Sequence, residues 1–337
     1  MKKKIIITLG PSSLKNNVLK EINKLKIVDL FRINLSHTSI SQLKMLLKKL
    51  NTLNIRPLCI DTEGAQIRTS KVKKKIFIKK KKLINIFIGS NLSNEKNIFL
   101  YPYFSFKNIK KNTLIKIGFD DLVLKVIGKT VRNLKCIVLN SGYLESNKGV
   151  HILGKLDLPA ITNKDYEALK ISKKYNIKYF ALSFANSKDS VKKFRKIIGK
   201  NKFIISKIET KNGYKNRAEI LKNSDAGLID RGDLSRYVDI SKVPIAQKEI
   251  LITAKKINKK IYIATNLLET MVDKVTATRA ESNDIFNSLN DGANGLVLAA
   301  ETAIGKYPIK CLKFLHNCIK SFEKYKKGKF NDKFIFD

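Results

Sequence analysis

The sequence predicts an α/β protein, a (β/α)8 barrel with a small all-β domain inserted after the third strand. Three observations predict it. Short, continuously apolar runs alternate with helical patterns along most of the 337 residues, as expected of parallel strands buried on both faces. These runs number eight, the count of a TIM barrel. One stretch, 69–155, drops the helical period and carries only short β-like runs between Lys, Asn and Gly.

The strands are expected at 5–9, 27–35, 57–61, 179–184, 203–208, 226–229, 260–265 and 295–299. The first is closed by Gly10-Pro11, and Ser12 or Ser13 is placed to cap the helix carrying Val18, Leu19, Ile22 and Leu25. A second helix carries Leu43, Leu46, Leu47 and Leu50 on one stripe. Helical patterns recur at about 164–176, 188–199, 212–222, 243–258 and 279–291, and from Pro308. Inside 69–155, β-like runs fall at 76–78, 83–88, 114–117, 122–127 and 136–139. A structureless loop of that length inside a barrel is implausible, so it reads as a domain. The expected division is 1–68 with 156–327 for the barrel, 69–155 for the inserted β-barrel-like domain, and 328–337 as a tail.

Composition bounds the function. A 43% hydrophobic fraction excludes gross disorder despite a net charge of +40. Such charge suggests a polyanion partner. Yet only nine of the 68 basic residues are arginine, the residue that phosphate-clamping surfaces favour. Lysine with abundant Ile and Asn instead fits the coding drift of an AT-rich genome, so a functional nucleic-acid partner is not expected. The lysine-rich 71–82 reads as a solvated sheet edge that discourages edge pairing. Four cysteines without a C-x-x-C pair predict reduced thiols and a cytoplasmic setting. No apolar run has the length of a membrane span, and MKKKIIITLG is too short for a signal peptide.

The polar residues gather at the C-terminal ends of the strands, where barrel enzymes keep their chemistry. Lys207 and Glu209 lie two apart in ISKIE and share a face. In IDRGDLS, Gly232-Asp233 falls where a helix could begin and offer N–H groups to an anion. Glu209 and Asp233 are two hard oxygen ligands that suit Mg2+ or Mn2+. Each pair alone would also serve as an ion pair and a helix cap. On adjacent strand ends they point jointly to chemistry. Arg32, Asn34 and Ser36 alternate in FRINLSH, while DTEGAQIRT supplies Asp61, Thr62 and Arg68, and Thr265 ends IAT. Two arginines, a lysine and a metal pair at one barrel mouth describe a phosphate-handling site. Asn34, Ser36 and Asp61 form a separate oxygen-rich group suited to a monovalent cation.

In order and in frame, ITLGPSS, FRINLSH, DTEGAQIRT, NKGVHILG, DLPAIT, KYFALSF, ISKIET, DRGDLS, IATNLLETM, TRAESNDI and AAETAIGKYP resemble the motif run of the pyruvate kinase family. The resemblance spans about residues 4–320 and implies a barrel interrupted by a β-domain that closes as a lid. It implies phosphoryl transfer from phosphoenolpyruvate to ADP, giving ATP and an enolate that is protonated to pyruvate. Lys207 resembles the lysine that neutralises the phosphoryl group in flight, and Arg32 the arginine on that group. Glu209 and Asp233 resemble the Mg2+ ligands. Gly232 and Asp233 resemble the backbone cradle of the substrate carboxylate, and Thr265 the threonine beside the enolate. Arg68, His37, Asn34, Lys148 and Pro11 resemble nucleotide contacts. Asn34, Ser36, Asp61 and Thr62 resemble a K+ site.

The sequence departs from the family at several places. Asp230 stands for an alanine, Ser235 for a glycine, Asn186 for an arginine, Ala299-Ala300 for Ser-Gly, and Ile304 for a lysine, with Lys306 nearby. In the third-strand motif, Glu63, Ala65 and Gln66 replace lysine, proline and glutamate. Gln66 stands where the family's glutamate is linked to K+ dependence, which leaves the K+ requirement open. The sequence ends soon after the eighth helix, so the resemblance implies no sugar-phosphate effector site of the family's C-terminal type. A homo-oligomer, dimer or tetramer, through barrel faces is expected. Two alternatives stand beside this reading. One is a Mg2+-dependent enolate-forming aldolase or lyase on a related barrel. The other is a non-catalytic polyanion-binding relative.

Overall fold

The computed structural model describes residues 2–64, 66–118, 122–153, 158–329 and 334–335. The chain separates into two compact units, 1–64 with 160–337, and Ala65–Pro159.

In the first unit β1 (Lys4–Thr8), β2 (Leu30–Asn34), β3 (Leu58–Asp61), β4 (Tyr179–Leu182), β5 (Phe203–Ile208), β6 (Ala226–Asp230), β7 (Lys260–Ala264) and β8 (Gly295–Leu298) form a closed parallel barrel. Each strand pairs with its sequence neighbours, and β8 closes on β1. The continuous apolar runs are explained by two packing layers. Ile6, Leu30, Cys59, Ala181, Ile205, Leu228, Tyr262 and Val297 fill the barrel. Their chain neighbours Ile5, Phe31, Ile60, Phe180, Ile204 and Leu296 turn outward into the core beneath the helices. Each buried Ile, Leu, Val or Phe among them stabilises the fold by about 1.5–3 kcal/mol.

This alternation fixes the chemistry before any loop is considered. Two residues on from Ile6, Leu30, Cys59, Ile205 and Leu228 come Thr8, Arg32, Asp61, Lys207 and Asp230. Period two therefore aims all five at the barrel axis, one layer nearer the C-terminal mouth. All five are buried.

Local signals place the helices. Ser39 with Gln42, Thr162 with Asp165, Ser187 with Ser190 and Thr278 with Glu281 form reciprocal capping boxes. The first helix departs from expectation. It runs Asn16–Leu25 with Lys15 at its N-cap and no side-chain cap. Ser13 Oγ instead accepts from Gly10 N at 3.1 Å, holding the turn after β1. Gly10 is required there, because a Cβ would lie 2.6 Å from the Ala303 carbonyl oxygen. The second strand starts at Leu30, not 27. Lys26 adopts φ 55 beyond the helix, and Asp29 turns its carboxylate onto Ile5 N at 2.9 Å.

The second unit is all β among its described residues. A seven-stranded sheet runs in the order Val150–Ile152, Leu114–Ile117, Leu122–Lys129, Asn133–Asn140, Leu83–Ile88, Asn97–Tyr101 and Arg68–Thr69. Ile76–Ile78 pairs separately with Gly142–Leu144. The unit begins at 65 and ends at 159, wider than the expected 69–155. The reason is apolar: Ile67 is 2% exposed within its core, and Leu158 packs against that core. The tail expected at 328–337 lies largely outside the described residues. Among the described residues no helix is long and apolar enough to cross a membrane.

Asp165 ties the turn after β3 to the next barrel helix. Its buried carboxylate accepts from Glu63 N at 2.7 Å, Gly64 N at 3.1 Å, Thr162 N at 3.0 Å and Thr162 Oγ1 at 2.9 Å. Asp165→Ala strands those donors in the interior. It is expected to destabilise the chain by about 2–4 kcal/mol in urea unfolding. A loss below about 0.5 kcal/mol would show that water replaces the carboxylate.

Candidate active site

The site is a buried charge cluster at the C-terminal mouth of the barrel. Lys207 Nζ on β5 lies 3.0 Å from Glu209 Oε2, 3.3 Å from Asp230 Oδ2 and 3.7 Å from Asp61 Oδ2. Arg32 on β2 grips Asp61 Oδ2 through Nε at 2.7 Å and Nη2 at 2.6 Å, and reaches Thr8 Oγ1 at 2.7 Å. Asp61 and Glu209 are 0% exposed, and Lys207 is 5% exposed. Such charges persist in a protein interior only when paired. Burial alone would lower the Lys207 ammonium, but Asp61, Glu209 and Asp230 hold it well above the usual lysine range. Burial likewise opposes ionisation of Asp230, and Lys207 with Arg32 overcomes it, holding that carboxyl below its ordinary value.

Glu209, Asp230 and Asp233 each bring an oxygen within 4.8 Å of the others. Glu209 Oε1 accepts from Phe184 N at 2.6 Å. Its Oε2 is buried and takes no well-directed hydrogen bond, despite the nearby ammonium. An under-coordinated buried oxygen beside two further carboxylates fits a hard divalent cation. Asp233 Oδ1 meets Arg236 Nε at 3.2 Å. The short helix Arg231–Leu234 is capped by Asp230, whose side chain accepts from Asp233 N. Asp230 thus takes the cap position that the sequence pattern offered to Asp233.

Thr265 follows β7 at φ 73, a left-handed conformation that a β-branched residue rarely adopts. Its surroundings hold it there. Arg231 donates to the Thr265 carbonyl from Nη2 at 2.7 Å and Nε at 3.1 Å, while its Nη1 grips Asp284 at 2.7 and 2.9 Å. Thr265 Oγ1 accepts from Gly232 N at 2.9 Å and lies 3.4 Å from Asp230 Oδ1. The strained turn aims the Thr265 hydroxyl at the amide proposed for an anion and at the carboxylate cluster.

Asn34 pairs in register with Asp61 at the ends of β2 and β3. Asn34 Oδ1 accepts from Ser36 N at 2.9 Å, and Ser183 Oγ donates to Asp61 Oδ1 at 3.2 Å and to the Thr62 carbonyl at 2.6 Å. The four residues suited to a monovalent cation therefore share one rim. Pro11 and His37 are exposed on turns after β1 and β2. Arg68 and Lys148 belong to the inserted unit and lie on adjoining segments. Arg68 Nη1 donates to the Asn147 carbonyl at 3.1 Å, and Lys148 N to Thr69 Oγ1 at 2.8 Å. Lys306 pairs with Asp273 at 2.9 Å on the surface.

Sequence reasoning missed Arg231, Asp284, Ser183 and Arg236 as site residues. Arg231 and Asp284 lay inside DRGDLS and TRAESNDI, but their pairing is across the fold and leaves no spacing signal. Tyr237 was missed as well. Burial, with Asp233 and Glu209 nearby, pushes its phenol up to about 12.

Glu209 makes the metal-free chain sensitive to pH. Burial first, then Asp233 and Asp230, push its carboxyl from 4.5 up to about 8 against the pull of Lys207. The folded state therefore holds the proton that the unfolded state has released. This contribution is full below about pH 4.5 and is lost as pH rises through about 8. The Tm of metal-free protein is expected to fall across this window, and Glu209→Gln to flatten that fall. An unchanged slope in the variant would show that Glu209 stays ionised throughout.

The family description "Pyruvate kinase, barrel domain" matches residues 1–312. The pyruvate kinase of Thermotoga maritima is 34% identical over 331 residues, covering 95% of this chain and 71% of the relative. That of Methanocaldococcus jannaschii is 36% identical, covering 95% and 69%. That of Staphylococcus epidermidis is 32% identical, covering 96% of this chain but 57% of the relative. The chain thus spans little more than half the length of some relatives and about seven tenths of others. With that match over nearly its whole length, and with Lys207, Glu209, Asp233 and Thr265 on one barrel mouth, the chain belongs to the pyruvate kinase family.

Proposed function

We propose that the chain transfers the phosphoryl group of phosphoenolpyruvate to ADP, giving pyruvate and ATP. The observation that carries this reading is the buried Lys207, held as a cation among Asp61, Glu209 and Asp230 beside Arg32. A migrating phosphoryl group needs preorganised positive charge more than covalent help.

The roles follow from position. Lys207 on β5 and Arg32 on β2 would face the transferred group from two sides of the barrel mouth. Glu209 and Asp233 would hold Mg2+ or Mn2+, which when bound supplies charge neutralisation to phosphate and enolate oxygens. The Gly232 and Asp233 amides now bond Thr265 Oγ1 and Asp230 Oδ1. The substrate carboxylate would take over those donors and release the Thr265 hydroxyl toward the enolate. Arg68, Lys148, His37, Asn34 and Pro11 would meet the nucleotide. Asn34, Ser36, Asp61 and Thr62 would hold K+. Cytoplasmic operation and a homo-oligomer through barrel faces complete the proposal.

Two measurements test it. In a lactate-dehydrogenase-coupled assay with phosphoenolpyruvate, ADP and Mg2+, with and without K+, turnover is expected. Lys207→Met should lower kcat at least about 1,000-fold, the scale of losing a main charge stabiliser. No turnover by the wild type with any cation would sink the reading.

Asp284 offers a separate probe, because it touches no reacting group and acts through Arg231 on Thr265. Asp284→Ala is expected to lower kcat about 10- to 100-fold with KM for ADP unchanged. Asp284→Glu should recover part of the loss. Parallel loss of folded protein in both variants, with kcat per folded molecule intact, would reduce the pair to a structural tie.

A further inference from the structure

We propose that Asp230 is a third oxygen donor of the divalent-cation site, tightening this chain's hold on the ion beyond what Glu209 and Asp233 give. The inference rests on the metal reading of Glu209 and Asp233 given above and extends it to a residue that stands in place of the family's usual alanine.

Geometry is the first argument. The candidate donor oxygens of Glu209, Asp230 and Asp233 lie within 4.8 Å of one another. Two oxygens on opposite sides of Mg2+ sit about 4.2 Å apart, at about 2.1 Å from the ion. Adjacent donors sit about 3.0 Å apart, so at least two of the three pairs must close to that distance from at most 4.8 Å for the cluster to share one ion. Asp230 Oδ2 lies 3.3 Å from Lys207 Nζ, and Oδ1 lies 3.5 Å from Asp233 N. Each carboxylate oxygen has two lone-pair directions, so these contacts leave room for a metal bond.

Charge is the second argument. Asp61, Glu209, Asp230 and Asp233 face the buried cations Arg32 and Lys207, and Arg236 meets Asp233 at the edge. Once Glu209 gives up its proton, four carboxylates face these three cations. Glu209 Oε2 is buried inside the cluster, 3.0 Å from Lys207 Nζ but with no well-directed hydrogen bond, and a divalent ion would satisfy this oxygen and balance the extra carboxylate. Mg2+ is usually held by one or two carboxylates and completed by substrate phosphate. A third carboxylate would take one of the coordination positions otherwise left to water or substrate oxygens.

The test is a titration of the full chain with Mn2+ alone, reading free Mn2+ by electron paramagnetic resonance. The wild type is expected to bind one ion. Asp230→Asn, which retains a capping oxygen, should weaken binding at least about tenfold, and Glu209→Gln should do the same. Asp230→Ser, whose hydroxyl also caps, replaces Asn if circular dichroism shows that variant unfolded. Line broadening by 17O-water counts the waters on bound Mn2+, and Asp230→Ala, which leaves no side-chain oxygen to ligate, should gain one. Weaker binding with an unchanged water count would mean that Asp230 acts by distant charge, and would overturn the proposal. Affinity within twofold of wild type in Asp230→Asn, with a loss in Glu209→Gln, would overturn it while leaving the two-ligand site intact. No loss in either variant, or no binding by the wild type, would sink both.

Discussion

The structure turns on the burial of Lys207 against three carboxylates at the mouth of the barrel. An ammonium in that position without partners would shed its proton or unfold the strand that carries it. With Asp61 on β3, Glu209 at the end of β5 and Asp230 on β6, it becomes a fixed positive charge. Three separate strand ends must keep their register for this to hold. The barrel is thus what makes the charge affordable, and the charge restricts how far the barrel can drift. Arg32 extends the constraint to β2 and, through Thr8, to β1.

Much of this was legible in the sequence. Eight apolar runs with intervening helical patterns predict a parallel barrel, since strands buried on both faces belong to parallel sheets and eight is the barrel count. Period two then places Lys207 beside Glu209, and Arg32 beside Asn34, on one face. The boundaries read less well for definite reasons. The run at 27–35 is apolar throughout, yet its first residues make the turn, with Lys26 left-handed and Asp29 bonded to Ile5 N. The strand Asn97–Tyr101 in the inserted unit went unread, and it pairs in parallel with Leu83–Ile88, a contact that no local pattern announces.

The site shows the same limit. Lys207, Glu209, Asp233 and Thr265 each end a strand or follow one, so topology delivers them together. The residues that hold them in place act across the fold. Arg231 bridges Asp284 to the Thr265 carbonyl, and its motif alone does not reveal which carboxylate it meets. Asp230 stood out as a departure from the family pattern. Its function as helix cap, counter-ion of Lys207 and neighbour of Thr265 needed three elements in space.

The net charge of +40 now has a clearer relation to the site. The lysine excess lies mostly on exposed positions, whereas the cluster at the mouth is locally acidic, with four carboxylates against Arg32, Lys207 and Arg236. General electropositive character can draw an anion toward the surface, with a range limited by salt to about 8 Å at physiological strength. It cannot seat a phosphate among Glu209, Asp230 and Asp233. A divalent cation held there, as proposed, would reverse the local sign and turn the acidic pocket into an anion site. The surface charge and the site chemistry are therefore separate properties of the chain. Substitutions that thin the surface lysines should alter encounter with anionic ligands, while the sign of the pocket would depend on the carboxylates and the ion proposed for them.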